Sequence, residues 1–414
     1  MRGRGPGHDA HTGAAFGVLR LLYGGSCTAH TKSVNGEDKK PLRLPDLVSL
    51  GVGGTIGSGI FVVPAVSAAM AGPSSLLAWA LCAVSFGCVL ACLMWLSRRY
   101  ADTGAFYTLF TKAFSERLSG AIIVCYILSG ILGVATIAAA IGDSVSVGIP
   151  APVLEALVVI AFGMLNLLGV ALSAWVEDAL TILKILPLLI ITLLLLPFIS
   201  ESNFIPFSPH GSLAFLSSAV VVYWCFTGFE LSAIPSKPVN DPDRAVPLSL
   251  LYVFAIVTAI YLSLNFSLIG SVGSEALAST ASPISYAVEH FYSGWGVVVL
   301  AIAMISMLSA LNAYLLGTSL VMESFFGRYN PAFARESRWH VPVLAVLICT
   351  AVTAILLLIM NRFVFLASAS VISTLIPYVF LCVAAFRLID SRWVKATAIV
   401  GIVSTATVLI TSFI

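Results

Sequence analysis

The chain has 414 residues, 59% of them apolar and only 10% Asp, Glu, Lys or Arg. A soluble domain carries about 25% charged residues, so a water-exposed globular surface is excluded, and a mean hydropathy of +1.03 excludes compositional disorder. Basic and acidic side chains nearly balance, 21 against 19, which excludes the cationic face of a nucleic-acid binder. What remains is an integral membrane protein whose first partner is the lipid bilayer.

Residues 1–44 form a Gly-, His- and Arg-containing tail with one apolar patch, Ala14 to Tyr23, too short to span and without a signal-peptide cleavage site. A disordered cytoplasmic tail is expected. Beyond it, the rule of about 20 apolar residues per crossing gives eleven spans. They lie near 46–71, 75–97, 119–142, 152–172, 178–199, 213–235, 247–271, 295–322, 341–360, 363–387 and 393–413. Orientation follows from the basic residues. With the N-terminus inside and the loops alternating, every Lys and Arg falls on the cytoplasmic side except Arg362, in an outer loop, and Lys184, within the fifth span. The opposite orientation violates the positive-inside rule.

Seven of the eight cysteines lie inside apolar runs and the eighth, Cys27, in the tail; none forms a CxxC pair, so they read as small hydrophobes. The histidines fall in tails or loops, so no metal site and no catalytic constellation is expected. Asp143, Glu155, Glu275 and Glu289 fall at span ends or in outer loops and are expected to be solvated.

The first span contains Gly51-Val52-Gly53-Gly54-Thr55-Ile56-Gly57-Ser58-Gly59. Each glycine costs a helix about 1 kcal/mol relative to alanine. Two explanations stand side by side: close helix packing through small residues, or unwound backbone lining a cavity. The sixth span, Tyr223-Trp224-Cys225-Phe226-Thr227-Gly228-Phe229-Glu230, has a matching glycine and polar groups near mid-depth. Spans one and six correspond if spans 1–5 and 6–10 are inverted repeats, and paired interruptions of this kind point to a transporter's central site. Half-helix N-termini offer N–H groups to a carboxylate and half-helix C-termini offer carbonyls to an ammonium. One pocket would then hold both ends of an amino-acid zwitterion. Gly51 to Gly59 is no P-loop, because no Gly-Lys-Ser/Thr follows.

The motifs resemble those of the amino acid–polyamine–organocation transporter superfamily over about residues 42–390. They are Gly54-Thr55-Ile56-Gly57-Ser58-Gly59-Ile60-Phe61 in the first span, Arg99-Tyr100 with Gly104 and Tyr107 after the second, and Asn166-Leu167-Leu168-Gly169 in the fourth. Val176-Glu177-Asp178 through Thr181 to Lys184 opens the fifth, Phe226 to Glu230 lies in the sixth, and Asn240 to Pro247 follows it. The chain departs from the family at Trp95, Ala101 and Leu320, and it carries eleven spans where twelve are usual.

The resemblance implies an all-α, leucine-transporter-like fold of five-plus-five inverted repeats with helices 1 and 6 broken. Residues 45–199 would form the first repeat, 200–390 the second, and 391–414 an added eleventh helix. Gly57, Ser58 and Gly59 would bind the substrate carboxylate, and the carbonyls of Ile56, Trp224 and Thr227 its amino group. Trp224 and Phe226 would gate the site, although packing between helices accounts equally well for Phe226. Glu230 is either functional, as intramembrane carboxylates tend to be, or a hydrogen-bond partner of the helix-1 backbone. Lys184, charged in one conformation and neutral in the other, would bridge the helix-1 backbone near Gly53 and Gly54 and couple transport to protons; the alternative is a lysine snorkelling to the interface.

The function implied is secondary active transport of neutral or hydrophobic amino acids across the plasma membrane by alternating access, proton-coupled or by exchange, with no cofactor beyond the proton. Rival functions are polyamine or organic-cation transport with Glu230 as counter-charge, and a non-transporting receptor that senses amino acids.

Overall fold

The computed structural model describes residues 43–100, 106–145, 148–168, 174–229, 239–337 and 341–412. The tail through residue 42, Glu230 and Lys237 lie outside the described residues, as does the side chain of Glu177. The described part is helical apart from one isolated bridge, Glu336 to Pro342.

The first span is two helices, α1 (Leu44–Thr55) and α2 (Gly59–Ala71). A 3-10 turn at Gly72–Ser74 leads into α3 (Ser75–Arg99), the second span. A short amphipathic α4 (Phe106–Ala113) precedes α5 (Glu116–Ser144), the third span; α6 (Ala151–Leu167) and α7 (Ala174–Leu195) are the fourth and fifth. The sixth begins as α8 (Ala214–Trp224), and α9 (Pro242–Val272) is the seventh. Two short helices, α10 (Ser274–Ala278) and α11 (Pro283–Phe291), connect to α12 (Gly296–Phe326), the eighth. The last three spans are α13 (Val343–Ile359), α14 (Phe363–Leu388) and α15 (Arg392–Thr411). Seven helical stretches, with Gly59–Arg99 counted as one, are long and apolar enough to cross a membrane; Ala151–Leu167, Ala214–Trp224 and Val343–Ile359 are apolar but shorter. Lipid-facing positions are apolar too: Leu193, Val297, Ile355 and Val403 are all exposed. The chain is a multi-pass membrane protein.

Without a hydrophobic drive between helices in lipid, close contact depends on shape and small residues. Helices 1, 2, 6 and 7 pack on one another through α2–α8, α3–α8, α3–α9 and α1–α9. Helices 3, 4, 8 and 9 form a second group through α5–α6, α5–α12, α6–α13 and α12–α13. Each of the pairs 1–6, 2–7, 3–8 and 4–9 is in contact, as a pseudo-two-fold axis between two halves would give. Helices α14 and α15 pack against α3 and α8, and α14 also runs along α5. Seven cysteines are free thiols, five of them fully buried.

One expectation fails here. Glu155 is buried near the N-terminus of α6, 0% exposed, rather than solvated. It reaches the interior because Gly142 of α5 has no side chain: a Cβ there would collide with the Glu155 carboxylate. Neither carboxylate oxygen makes a hydrogen bond of standard geometry, although the Asn361 side chain stands beside it.

Candidate functional site: the paired helix breaks

Helix 1 comes apart over three residues. Ile56 closes α1 with its N–H on the Val52 carbonyl (2.8 Å) and then leaves helical geometry at ψ 83°. Gly57 N–H turns back to the Thr55 carbonyl (3.0 Å), and Phe61 N–H takes the Ser58 carbonyl (3.2 Å). The N–H groups of Ser58, Gly59 and Ile60, at the start of α2, are therefore left at the break with no acceptor inside the helix.

The last carbonyls of α1 are capped from three other helices. Lys184 Nζ of α7 donates to the Gly53 carbonyl at 3.0 Å. The Tyr261 hydroxyl of α9 donates to the Thr55 carbonyl at 3.0 Å, and Ser306 Oγ of α12 lies 3.5 Å from the Ile56 carbonyl. Thr181 Oγ1, one turn before Lys184, donates to the Ser49 carbonyl at 3.3 Å. A cation at a helix C-terminus is also favoured by the helix dipole. Lys184 is only 3% exposed, so it turns inward to the broken helix and does not reach for the interface.

Helix 6 unwinds differently. The N–H groups of Cys225, Phe226 and Thr227 bond back three residues, to the carbonyls of Val222, Tyr223 and Trp224, tightening the last turn of α8. Gly228 then turns the chain at φ +100°. A Cβ at Gly228 would sit 2.7 Å from the Gly54 carbonyl oxygen, so glycine is required both by conformation and by contact with α1.

The two breaks face each other. Helices α2 and α8 run antiparallel: Gly72, just after α2, meets Pro209, just before α8, while Gly59 at the start of α2 meets Cys225 at the end of α8. The positive end of one half-helix therefore lies beside the negative end of the other. Trp224 Nε1 donates to Ser58 Oγ at 3.4 Å, joining them. N–H and C=O termini side by side suit a small dipolar ligand with an anionic and a cationic end. Close packing and unwinding, separate explanations for the glycines, both apply: a Cβ at Gly59 would stand 3.0 Å from Cys225 Cα, and one at Gly57 3.1 Å from Ala310 Cβ.

Of the residues singled out by sequence, Ile56, Gly57, Ser58, Gly59, Trp224 and Thr227 meet at this junction and are all buried. The Trp224 carbonyl already accepts from Thr227 N–H (3.3 Å) and Thr227 Oγ1 (2.8 Å), leaving the Ile56 and Thr227 carbonyls as the freer acceptors. Phe226 points elsewhere. Its ring packs against Trp79 and Phe86 of α3 and Tyr261 of α9, at centroid distances of 6.1, 5.3 and 5.3 Å. That contact set is the packing between helices that sequence left open for it.

Several participants carry no signal in the sequence. Tyr261, Ser306 and Tyr314 come from spans without glycine breaks, where a tyrosine or serine reads as ordinary. Tyr314 of α12 lies beside Trp224 (centroids 5.8 Å) and shares a hydrogen bond with Thr227 Oγ1 (3.1 Å). Gly133 of α5 leaves room for both rings: its Cβ would lie 3.0 Å from Tyr314 and 3.2 Å from Trp224. Asn166, part of the fourth-span motif, donates to Asn312 Oδ1 at 3.0 Å and ties α6 to α12.

Residues 42–414 match the profile of a family described as amino acid permease. The branched-chain amino acid permease BcaP of Bacillus subtilis (strain 168) is 25% identical over 312 residues, covering 69% of this chain and 66% of that protein. The uncharacterized amino acid permease YecA of the same organism is 30% identical over 305 residues, 71% of this chain and 68% of that protein. The chloroplastic cationic amino acid transporter 9 of Arabidopsis thaliana is 28% identical over 283 residues, 60% of this chain and 49% of that protein. The chain thus spans about half to two thirds of the length of these relatives.

Proposed function

Because the chain belongs to the amino acid permease family, with the all-α architecture of the amino acid–polyamine–organocation superfamily, we propose that it is a secondary active transporter of amino acids working by alternating access. The observation that carries this is the antiparallel meeting of the α2 N-terminus and the α8 C-terminus at Ser58 and Trp224. The N–H groups of Ser58 and Gly59 receive the substrate carboxylate, and the carbonyls of Ile56 and Thr227 its ammonium. Helices 1, 2, 6 and 7 rock against 3, 4, 8 and 9 around that point, two groups whose internal packing supports such a division.

The substrate is a neutral, apolar amino acid. The rings and small apolar side chains around the break (Trp224, Tyr314, Ala310) support this, as does the relative named for branched-chain amino acids. Transport is coupled to protons through Lys184, whose ammonium holds α1 by the Gly53 carbonyl. The protein sits in the plasma membrane with Leu44 on the cytoplasmic face. A cationic substrate is the second reading, favoured by the relatives named cationic amino acid transporters. Thermal stabilisation of the purified protein by leucine, arginine and putrescine separates the two, since a ligand of the native state raises its stability. Uptake of the stabilising compound into proteoliposomes then tests transport. Stabilisation by leucine with no uptake under any imposed gradient overturns transport in favour of a receptor, and stabilisation by putrescine alone overturns the amino-acid assignment.

A further inference from the structure

The residues around the two breaks fall into two layers. Gly57 faces Ala310, and Ser58 bonds Trp224; this is the central layer. Moving along α1 toward Leu44 brings Gly54, along α8 past its C-terminus Thr227 and Gly228, and along α12 Tyr314. The four meet: the Cβ position of Gly228 is 2.7 Å from the Gly54 oxygen and 3.0 Å from the Tyr314 hydroxyl, which bonds Thr227 Oγ1 at 3.1 Å. Tyr314 lies four residues beyond Ala310, about 6 Å along the helix at 1.5 Å per residue. This second layer therefore closes the central one on the face that carries Leu44.

The Tyr314–Thr227 bond crosses between the two groups of helices, as the longer Ser306–Ile56 contact also does. Tyr314 belongs to helix 8, in the group of helices 3, 4, 8 and 9, and its ring is seated against Gly133 of helix 3 in that same group. Thr227 belongs to helix 6, in the other group. Relative motion of the two groups cannot open this face without separating that pair.

Resting on the transport reading above, we propose that the Tyr314 hydroxyl and the Thr227 side chain form the latch that shuts the central site on the Leu44 face, so that substrate leaves to that side only when this bond opens. The Trp224–Tyr314 ring contact is part of the same closure, because Tyr314 withdrawing from Thr227 uncovers the edge of Trp224.

The test uses Ala310→Cys as a reporter in the central layer, where residue 310 is buried in the closed form. An impermeant thiol reagent is applied to the Leu44 face of membrane vesicles, and modification of residue 310 is read by peptide mass spectrometry, so the native thiols stay in place. Tyr314→Phe keeps the ring and removes the hydroxyl; it raises the labelling rate about fivefold, as loss of one ordinary hydrogen bond should. Thr227→Val removes the other partner, and the double variant labels no faster than Thr227→Val alone, the signature of two groups acting through one bond. Labelling from the opposite face does not rise with it. A rate unchanged by Tyr314→Phe in a protein with unaltered thermal midpoint overturns the latch, as do additive effects of the two substitutions. Should Tyr314→Phe lower the midpoint, Thr227→Val alone and the cycle still decide. The labelling needs no substrate, so failure of the amino-acid assignment would leave this result standing.

Discussion

Lys184 shows what one side chain does when a helix is cut short in lipid. The broken end of α1 leaves carbonyls without a partner in their own helix, and each one left buried and unsatisfied costs about 1–3 kcal/mol. Lys184 satisfies one of them at Gly53, so Lys184→Ala both destabilises the closed break and removes the proposed proton site. Uptake driven by a pH difference should be lost, while leucine still raises the thermal midpoint; accumulation that persists under a pH gradient alone would reject the coupling role. Glu155 is the opposite case, a buried carboxyl with neither oxygen in a hydrogen bond of standard geometry and the Asn361 side chain only beside it. Replacing an unsatisfied buried polar group by an apolar one of similar volume is neutral or stabilising. Glu155→Met should therefore hold or raise stability, by up to about 1–3 kcal/mol, read as the thermal midpoint in detergent. A fall of several degrees would mean that the carboxyl is paired.

At the scale of helices, termini decide most of the polar architecture. The N-terminus of α12 is held from outside by Glu289 at the end of α11: its carboxylate accepts from Gly294 N–H at 2.9 and 3.0 Å and from Gly296 N–H at 2.9 Å. Those backbone donors, Gly294 first and then Gly296, hold the Glu289 carboxyl below the usual glutamate value. A depressed folded-state value means that the ionised form is the stabilising one. Its contribution is complete above the unfolded value, about 4.3, and is lost as pH falls through the folded one. Glu289→Gln should lower the thermal midpoint at pH 7, and the gap from the native protein should close as the pH is taken below about 4. A gap independent of pH would show that the carboxylate charge plays no part. The break in helix 1 was legible in advance because its glycine-rich stretch is matched by a second interruption in the sixth span; the glycines alone fitted close packing as well, and Gly51, Gly53 and Gly54 in fact stay helical. Its caps were not: Tyr261, Ser306 and Tyr314 reach it only through the packing of three long, uninterrupted helices. Glu155 was misjudged for a related reason, since its burial depends on the missing side chain of Gly142 on a neighbouring helix.

For the molecule as a whole, the apolar runs were enough to locate the described helices, because each run is a property of one segment; the count of eleven crossings and the orientation rest on the sequence. An odd number of crossings has a direct consequence for topology: the end of α15 should lie on the face opposite Leu44. Ser412→Cys should react with an impermeant maleimide on intact cells, and labelling only after permeabilisation would mean that a crossing has been miscounted. How the segments associate was not written in any one of them. The division into two groups emerges from contacts such as Gly59 with Cys225 and Gly133 with Tyr314, where absent side chains set the approach.

Helix α15 is fastened to α3 and α8 by polar side chains: Ser85 of α3 lies 3.0 Å from Thr405 of α15 and 3.2 Å from Tyr223 of α8, hydroxyl to hydroxyl. Against α14 it packs closely through a missing side chain. Gly401 meets Cys382 there, with Cys88 of α3 alongside, and the Cβ position of Gly401 is 2.9 Å from the Cys382 sulfur. Three hydroxyls on one side and a glycine against a thiol on the other anchor α15 among α3, α8 and α14, while its remaining face, with Trp393, Val403 and Ile410 exposed, is left to the acyl chains. An anchored helix with one lipid face is a gasket. It keeps hydrocarbon away from the buried hydroxyls of Ser85, Thr405 and Tyr223, which acyl chains could offer no hydrogen bond.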